Sequence, residues 1–137
     1  GGSIQMKKDF SYASLEKNGD GFKIIVSSYQ DEQRKRFAIA QELGHLFLHM
    51  GYKTNAEIWE KQADKVPFQE KDPEKVRQAN EFAAALLMPR YIFFLTLEAA
   101  SDIAESGKRT IHMQAVADFF NVSLSAAYTR AKDFGII

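Results

Sequence analysis

The spacing of apolar residues along the chain predicts a β-hairpin followed by a series of helices. Over residues 10–26, the run Asn-Gly-Asp-Gly at 18–21 supplies residues that tolerate positive φ, and a short apolar strand follows it. From about residue 31 to 50, apolar residues recur every three to four positions, as in an amphipathic helix, and Gly51 marks its end. Residues 52–71 are mixed and polar, which favours a loop with one short helix, anchored by Trp59 and Phe68.

A second series of helices is predicted from residue 72 onward. Asp72 and Pro73 are suited to begin a helix, and Pro89 ends that helix near Leu87 because the residue before proline avoids the α region. The next helix is predicted over residues 91 to about 105, with Gly107 as its stop.

Two shorter helices are predicted at the end of the chain. Thr110 is the predicted cap of a helix that ends at Phe120. A tight turn at 121–123 leads to a last helix that ends at Phe134, with Gly135 as its C-terminal stop. Together these elements predict a mostly helical α+β fold with a small β-sheet and a helix-turn-helix-like pair at the end.

Composition limits the kinds of protein that this chain can be. Eighteen basic residues balance eighteen acidic ones, so no net charge attracts nucleic acid or anionic lipid. The absence of cysteine excludes disulfides, thiolate zinc ligands and a cysteine nucleophile, and it fits a cytoplasmic location. No apolar run reaches the length of a membrane span.

We expect one domain over residues 1–137, with residues 1–3 as a tag remnant and residues 109–137 as a tail packed on the body.

The helix at 31–50 carries part of a metal-binding pattern. Two histidines one turn apart with an adjacent glutamate, His-Glu-x-x-His, can hold a zinc ion and activate its bound water. Here Glu42 and His45 are in register, but the first position of the pattern is Gln41. His49 lies a further turn along the same row. A helical pair of histidines is, taken alone, more often a packed or solvent-exposed pair than a metal site.

A second segment makes this pattern more specific. Residues 78–89 read Gln-Ala-Asn-Glu-Phe-Ala-Ala-Ala-Leu-Leu-Met-Pro, which alone could be an alanine-rich helix that packs closely on a neighbour. Taken with Arg-Phe at 36–37 and Glu-Leu-Gly-His at 42–45, the sequence resembles the ImmA/IrrE family of metallopeptidases. The run at 116–123 also looks like the helix-turn-helix-like tail of that family, although an N-terminal helix that many members carry has no counterpart.

The resemblance implies a zincin-like fold and a cytoplasmic protease that cleaves helix-turn-helix repressors. It makes His45 a metal ligand and Glu42 the general base. Two ligand positions of the family hold other residues: Gln41 replaces the first histidine, and Val76 replaces the glutamate of the later helix. Glu74 is two residues short of that position. Glutamine is a poor substitute for imidazole on zinc and valine cannot coordinate, so we expect no zinc.

Three functional hypotheses follow. The first is a protein that has lost zinc and catalysis and that binds or regulates a protein partner, such as a helix-turn-helix repressor. The second is an active zinc-dependent endopeptidase with atypical ligands, among them His45 and His49. The third, DNA binding through the tail, ranks last because residues 108–137 carry four basic residues against two acidic ones and several of its apolar residues look like core.

The resemblance also leads to expectations about packing and binding. Ala83, Ala84, Leu86 and Leu87 should pack on the face of the 31–50 helix that carries Phe37, Ala40 and Phe47. His45 should point into a cleft between those two helices, next to Glu42. If that cleft is empty and bordered by the edge of the hairpin, an extended peptide could add there as a strand. In the tail, the residues expected in the core are Phe119, Phe120, Val122, Phe134, Ile136 and Ile137.

Overall fold

The computed structural model describes residues 1–8 and 13–137, and its elements confirm the predicted α+β class. In chain order they are β1 (Gly2–Lys7), β2 (Ala13–Asn18), β3 (Gly21–Ser27), α1 (Glu32–Leu48), α2 (Ala56–Glu60), α3 (Pro73–Leu87), α4 (Arg90–Ala99), β4 (Ser101–Ile103), β5 (Arg109–Ile111), α5 (Met113–Phe120) and α6 (Leu124–Asp133). The chain divides into two compact units, residues 1–83 and 84–137.

The first unit contains a three-stranded sheet in the order β1-β3-β2. Strand β3 pairs parallel with β1 and antiparallel with β2. The predicted hairpin is confirmed as β2 and β3, joined at Gly19 with φ +63°, while the predicted start at Phe10 lies outside the described residues. Residues 2 and 3, set aside as a tag remnant, form the start of β1, where Gly2 pairs with Phe22.

Helix α1 is confirmed close to its predicted bounds. Its N-cap is Asp31, whose carboxylate accepts a hydrogen bond from the Arg34 backbone amide at 2.8 Å. Gly51 follows with φ +79°, and a Cβ there would lie 2.5 Å from the Asn55 carbonyl oxygen, so glycine is required on both counts.

The core of the first unit lies between the sheet and α1. Its buried residues are Ala13, Leu15, Ile24, Val26, Leu46, Met50 and Tyr52. Trp59 in α2 and Phe68 in the following loop pack against this cluster, which confirms both predicted anchors.

Helix α3 approaches α1 most closely at Gly44. A Cβ there would lie 3.1 Å from the Cα of Ala79 and 3.1 Å from the Cβ of Phe82. Ala40 and Ala83 are buried, and the ring centroids of Phe47 and Phe82 are 6.2 Å apart. The small residues predicted at this contact are thus buried, as expected for two helices that approach closely.

The expectation for the end of α3 was wrong at Leu86, which is 51% exposed. Ala84 and Leu87 pack against the core of the second unit. The faces of α3 therefore change partners along its length, a change that the apolar spacing alone does not reveal.

The second unit has its own core, built from α4, α5, α6 and the residues that flank them. Its buried residues are Met88, Phe93, Leu97, Met113, Val116, Ala117, Phe120, Val122, Ala127 and Ala131. Phe134 and Ile136 pack against it. Phe119 and Ile137, also predicted to be core, are 65% and 54% exposed, so that prediction was wrong for these two.

Two predicted helix bounds in the second unit were also wrong. The helix expected to reach residue 105 ends at Ala99, because the chain then forms strand β4 and returns through Gly107 to β5. Thr110 lies inside β5, paired with Asp102, and does not cap α5. The turn before α6 is confirmed: Asn121 has φ 52°, and the Ser123 hydroxyl accepts a hydrogen bond from the Ala126 amide at 3.0 Å.

No single helix in the described part of the chain is long and apolar enough to cross a membrane. Helices α3 and α4 pass such a test only when they are counted together as a bent pair, by length and composition.

Candidate functional site

The four candidate residues of the metal-binding pattern are partly buried; three lie on α1, and His49 is the C-cap residue that follows it. They are Gln41, Glu42, His45 and His49. The helix presents Gln41, His45 and His49 one turn apart, as their spacing requires. Each has a distinct environment, which decides what chemistry it can perform.

Gln41, at the position of the family's first ligand, is hydrogen-bonded to α3. Its Nε2 donates to Oδ1 of Asn80, an exposed residue of the second segment. This amide pair joins two helices whose residues are 39 positions apart in the chain. The side chain at the first ligand position is therefore engaged by a neutral partner.

The two histidines and Gln78 form a hydrogen-bonded chain. His49 Nε2 lies 2.9 Å from Oε1 of Gln78, and His49 Nδ1 lies 2.8 Å from His45 Nδ1. Because the Gln78 oxygen can only accept, His49 Nε2 carries the hydrogen and its Nδ1 accepts from His45. A neutral His45 then keeps its lone pair on Nε2, whereas both nitrogens of His49 are used within the chain.

Burial changes the acid–base properties of two of these groups. It raises the pKa of Glu42 to about 7, because a carboxylate loses hydration away from water. It also lowers the pKa of His45, with a further lowering by neighbouring His49 and an opposing effect of Glu70. At neutral pH, His45 is therefore mainly uncharged and Glu42 is close to half protonated.

Glu70 and Phe68 belong to the surroundings of His45 but were not predicted as site residues. The Phe68 ring centroid lies 5.8 Å from that of His45. The Glu70 side chain is 15% exposed, and its charge acts on His45. Both lie in the loop between α2 and α3, and the prediction of Phe68 as an anchor did not extend to its position beside His45.

The position at which the resemblance implies a glutamate ligand is an exposed point on α3. Val76 is 38% exposed and apolar. Glu74, the nearest acidic residue before it, pairs with Arg77, and this hydrogen bonding lowers the Glu74 pKa. Arg77 also pairs with Glu81, so these charges form a surface network along α3.

The residues present do not match the donors of a zinc site with three protein ligands. Both ring nitrogens of His49 are hydrogen-bonded within the protein, Gln41 offers only a neutral amide oxygen, and Val76 has no donor atom. Within residues 1–8 and 13–137, no group of three or more histidine, cysteine, aspartate or glutamate side chains could hold a metal ion. The absence of zinc stays a prediction about the protein in solution.

Comparison with known families identifies the class of protein. The sequence model of the peptidase family M78, described as the IrrE N-terminal-like domain, matches residues 5–132. The chain therefore belongs to this family, and its metallopeptidase fold agrees with the resemblance found in residues 36–45 and 78–89. The comparison with curated proteins gives no match.

Proposed function

We propose that this protein is an IrrE-like peptidase-fold module that has lost zinc binding and catalysis and that binds or regulates a protein partner. The observation that carries the proposal is the donor set around His45: a neutral amide at Gln41, no donor atom at Val76, and both ring nitrogens of His49 already hydrogen-bonded. A helix-turn-helix transcription regulator is the partner class that we favour, on the basis of the family resemblance. The cytoplasm is the proposed location.

Loss of catalysis follows from the chemistry of the remaining residues. A catalytic zinc in this type of site has three protein ligands and a bound water, whose acidity the metal increases. With only His45 left of the family's ligand set, a zinc ion would lack the donors that hold it. Glu42 would then have no metal-bound water to activate.

Binding without cleavage is supported by what the fold retains. The close α1–α3 contact at Gly44 and the buried core beside it are well packed, although Gln41 and Val76 stand at the positions where the family resemblance implies ligands. A chain that loses its ligands but keeps such packing still forms a defined surface around His45. We propose that this surface recognises the partner.

The competing proposal is an active endopeptidase with atypical ligands. Two observations favour it: the Glu42 pKa of about 7 suits a general base, and His45 offers an Nε2 lone pair. It requires a second metal donor from the same row, either the neutral amide oxygen of Gln41 or a ring nitrogen of His49 released from its hydrogen bonds. For that reason it ranks second.

One experiment separates the two proposals. The protein is incubated with a helix-turn-helix transcription regulator, with and without excess zinc, and binding and fragmentation are both measured. We expect binding in both conditions and no fragments. Zinc-dependent fragments that disappear in Glu42→Gln would establish the peptidase, and absence of any binding would remove the partner that we propose.

A further inference from the structure

The outer edge of strand β2 is covered by a segment of the chain itself. We call residues Asp64–Glu70 the strap. The backbone amide of Lys65 donates to the Lys17 carbonyl, and that of Phe68 donates to the Leu15 carbonyl, each at 2.7 Å. Strand-like pairing joins Pro67 to Glu16 in antiparallel fashion and Asp64 to Lys17 in parallel fashion. The expectation of an empty cleft bordered by the hairpin was therefore wrong at this edge.

The strap is anchored at both ends by side chains. At its start, a carboxylate oxygen of Asp64 accepts from the backbone amide of Gly19, in the hairpin turn, at 2.8 Å. Toward its end, Phe68 packs against the first core and its ring faces His45. The strap therefore covers both the edge of the sheet and one side of His45.

Between these anchors, the strap is a poor β-strand. Lys65 has φ 58°, a left-handed conformation that lysine seldom adopts. Val66 is 52% exposed, and Pro67 has no amide hydrogen to donate to the sheet. The change from parallel to antiparallel pairing within a few residues also prevents a continuous ladder. Few contacts therefore keep the strap paired with β2. A segment with better strand geometry could replace them.

We propose that the strap is an internal ligand, displaced when an extended segment of a partner protein pairs with the carbonyls of Leu15 and Lys17. The functional meaning of this inference rests on the proposed role in partner binding. The contacts that the partner must reproduce define its chemistry: an acidic residue that binds the Gly19 amide and, four positions later, an aromatic residue that replaces Phe68. Main-chain hydrogen bonds supply the remaining recognition.

A reversible disulfide tests this displacement. The chain has no cysteine, so Glu16→Cys with Pro67→Cys introduces a single pair across the strap and β2. Paired strand residues have Cα atoms about 4.5–5.5 Å apart, within disulfide range. The matched control is Glu16→Cys with Lys23→Cys, which links β2 to β3 and leaves the strap free.

The probe is a fluorescent synthetic peptide with the sequence of residues 62–70 carrying Pro67→Val, which makes it a better strand than the tethered strap, and its anisotropy measures binding. We expect the reduced strap pair and both forms of the control to bind it. Oxidation of the strap pair should weaken binding by about tenfold or more, a difference that is readily measured. Equal binding by its oxidised and reduced forms, or no binding by the reduced form, would overturn the proposal.

Amide hydrogen exchange in the unmodified protein provides a second test that needs no variant. If the strap opens separately, the amides of Lys65 and Phe68 should exchange at least about tenfold faster than that of buried Leu46 in α1. Exchange of all three at one common rate would make the strap a fixed part of the fold and would refute its displacement. An opening strap with no regulator binding would instead count only against the proposed partner.

Discussion

The buried carboxyl of Glu42 makes stability depend on pH. Burial raises its pKa from 4.5 to about 7, so between these values the folded protein keeps a proton that the unfolded chain has lost. The free energy of unfolding therefore falls by about 3 kcal/mol in total as pH rises through this interval. His45 acts in the opposite direction, because its lowered pKa makes the unfolded chain bind a proton first as pH falls below 6.5.

We predict that Glu42→Gln stabilises the protein only at higher pH, because glutamine resembles the protonated acid. Urea unfolding should give equal free energies for variant and wild type near about pH 4, and a variant more stable by about 3 kcal/mol above about pH 7. The His45 contribution is common to both proteins and cancels. The matched control is Glu98→Gln at an exposed position of α4, which should produce no such divergence. A difference in the free energy of unfolding that does not vary with pH would contradict a raised pKa of Glu42.

Introducing the two ligands that the family resemblance implies should create a zinc site if α1 and α3 keep the family register. We predict that Gln41→His with Val76→Glu binds zinc at micromolar concentration. At zinc concentrations about 100-fold above Kd, the gain in stability should be about 2.7 kcal/mol, measurable as a rise in Tm. Each single variant serves as a control and should show a smaller rise. A well-folded double variant without zinc binding would mean that the helices are out of register.

The row Gln41, His45 and His49 could be predicted because it depends only on spacing within one helix. The partners of these side chains could not be predicted in the same way. Gln78 and Asn80 lie in a segment that the sequence had already distinguished, but their contacts depend on how two helices cross. The position of Phe68 beside His45 depends on a loop path without periodicity.

At the scale of elements, the contact between α1 and α3 depends on the missing side chain at position 44. We predict that Gly44→Val lowers the free energy of unfolding by about 3 kcal/mol or more, because the added carbons meet the Ala79 backbone and Phe82. The control is Ala85→Val at an exposed position of α3, expected to cost only about 0.5 kcal/mol through helix propensity. Chemical denaturation measures both, and equal effects would argue against a tight crossing.

Helix α6 offers a second test, because its first turn is held by one hydroxyl. Ser123→Ala removes the acceptor for the Ala126 amide and should destabilise the protein by about 1 kcal/mol. Ser125→Ala, two residues further on at an exposed position, is the matched control and should be neutral within about 0.5 kcal/mol. Thermal unfolding measures the melting temperatures of both variants. Equal melting temperatures would contradict the capping role of Ser123.

The helices that were predicted well have local signals at their ends, such as Asp31, Asp72 and Ser123. The missed hairpin of β4 and β5 has three residues in each strand, too few to show an alternating pattern. Gly107 was recognised as a stop, but it ends a turn within that hairpin. Short strands gain their stability from pairing across a turn, which a local pattern does not encode.

At the scale of the whole molecule, each compact unit has its own hydrophobic cluster, one around Leu46 and the other around Phe93. The family match extends across both, over residues 5–132. Membership in the family and the general fold were therefore predictable from the sequence. The division into two cores was not, because the apolar faces of consecutive helices do not specify which cluster each one joins.

The position of the only tryptophan gives this arrangement a practical use. Trp59 packs in the first cluster, in edge contact with Tyr52 and beneath the Lys17 ammonium, so its emission reports on that cluster alone. Helices on both sides of residue 83 contribute to far-ultraviolet circular dichroism. Coincident fluorescence and dichroism melting curves would indicate one cooperative transition, whereas separated curves would mean that the indole reports the loss of only one of two independently melting halves.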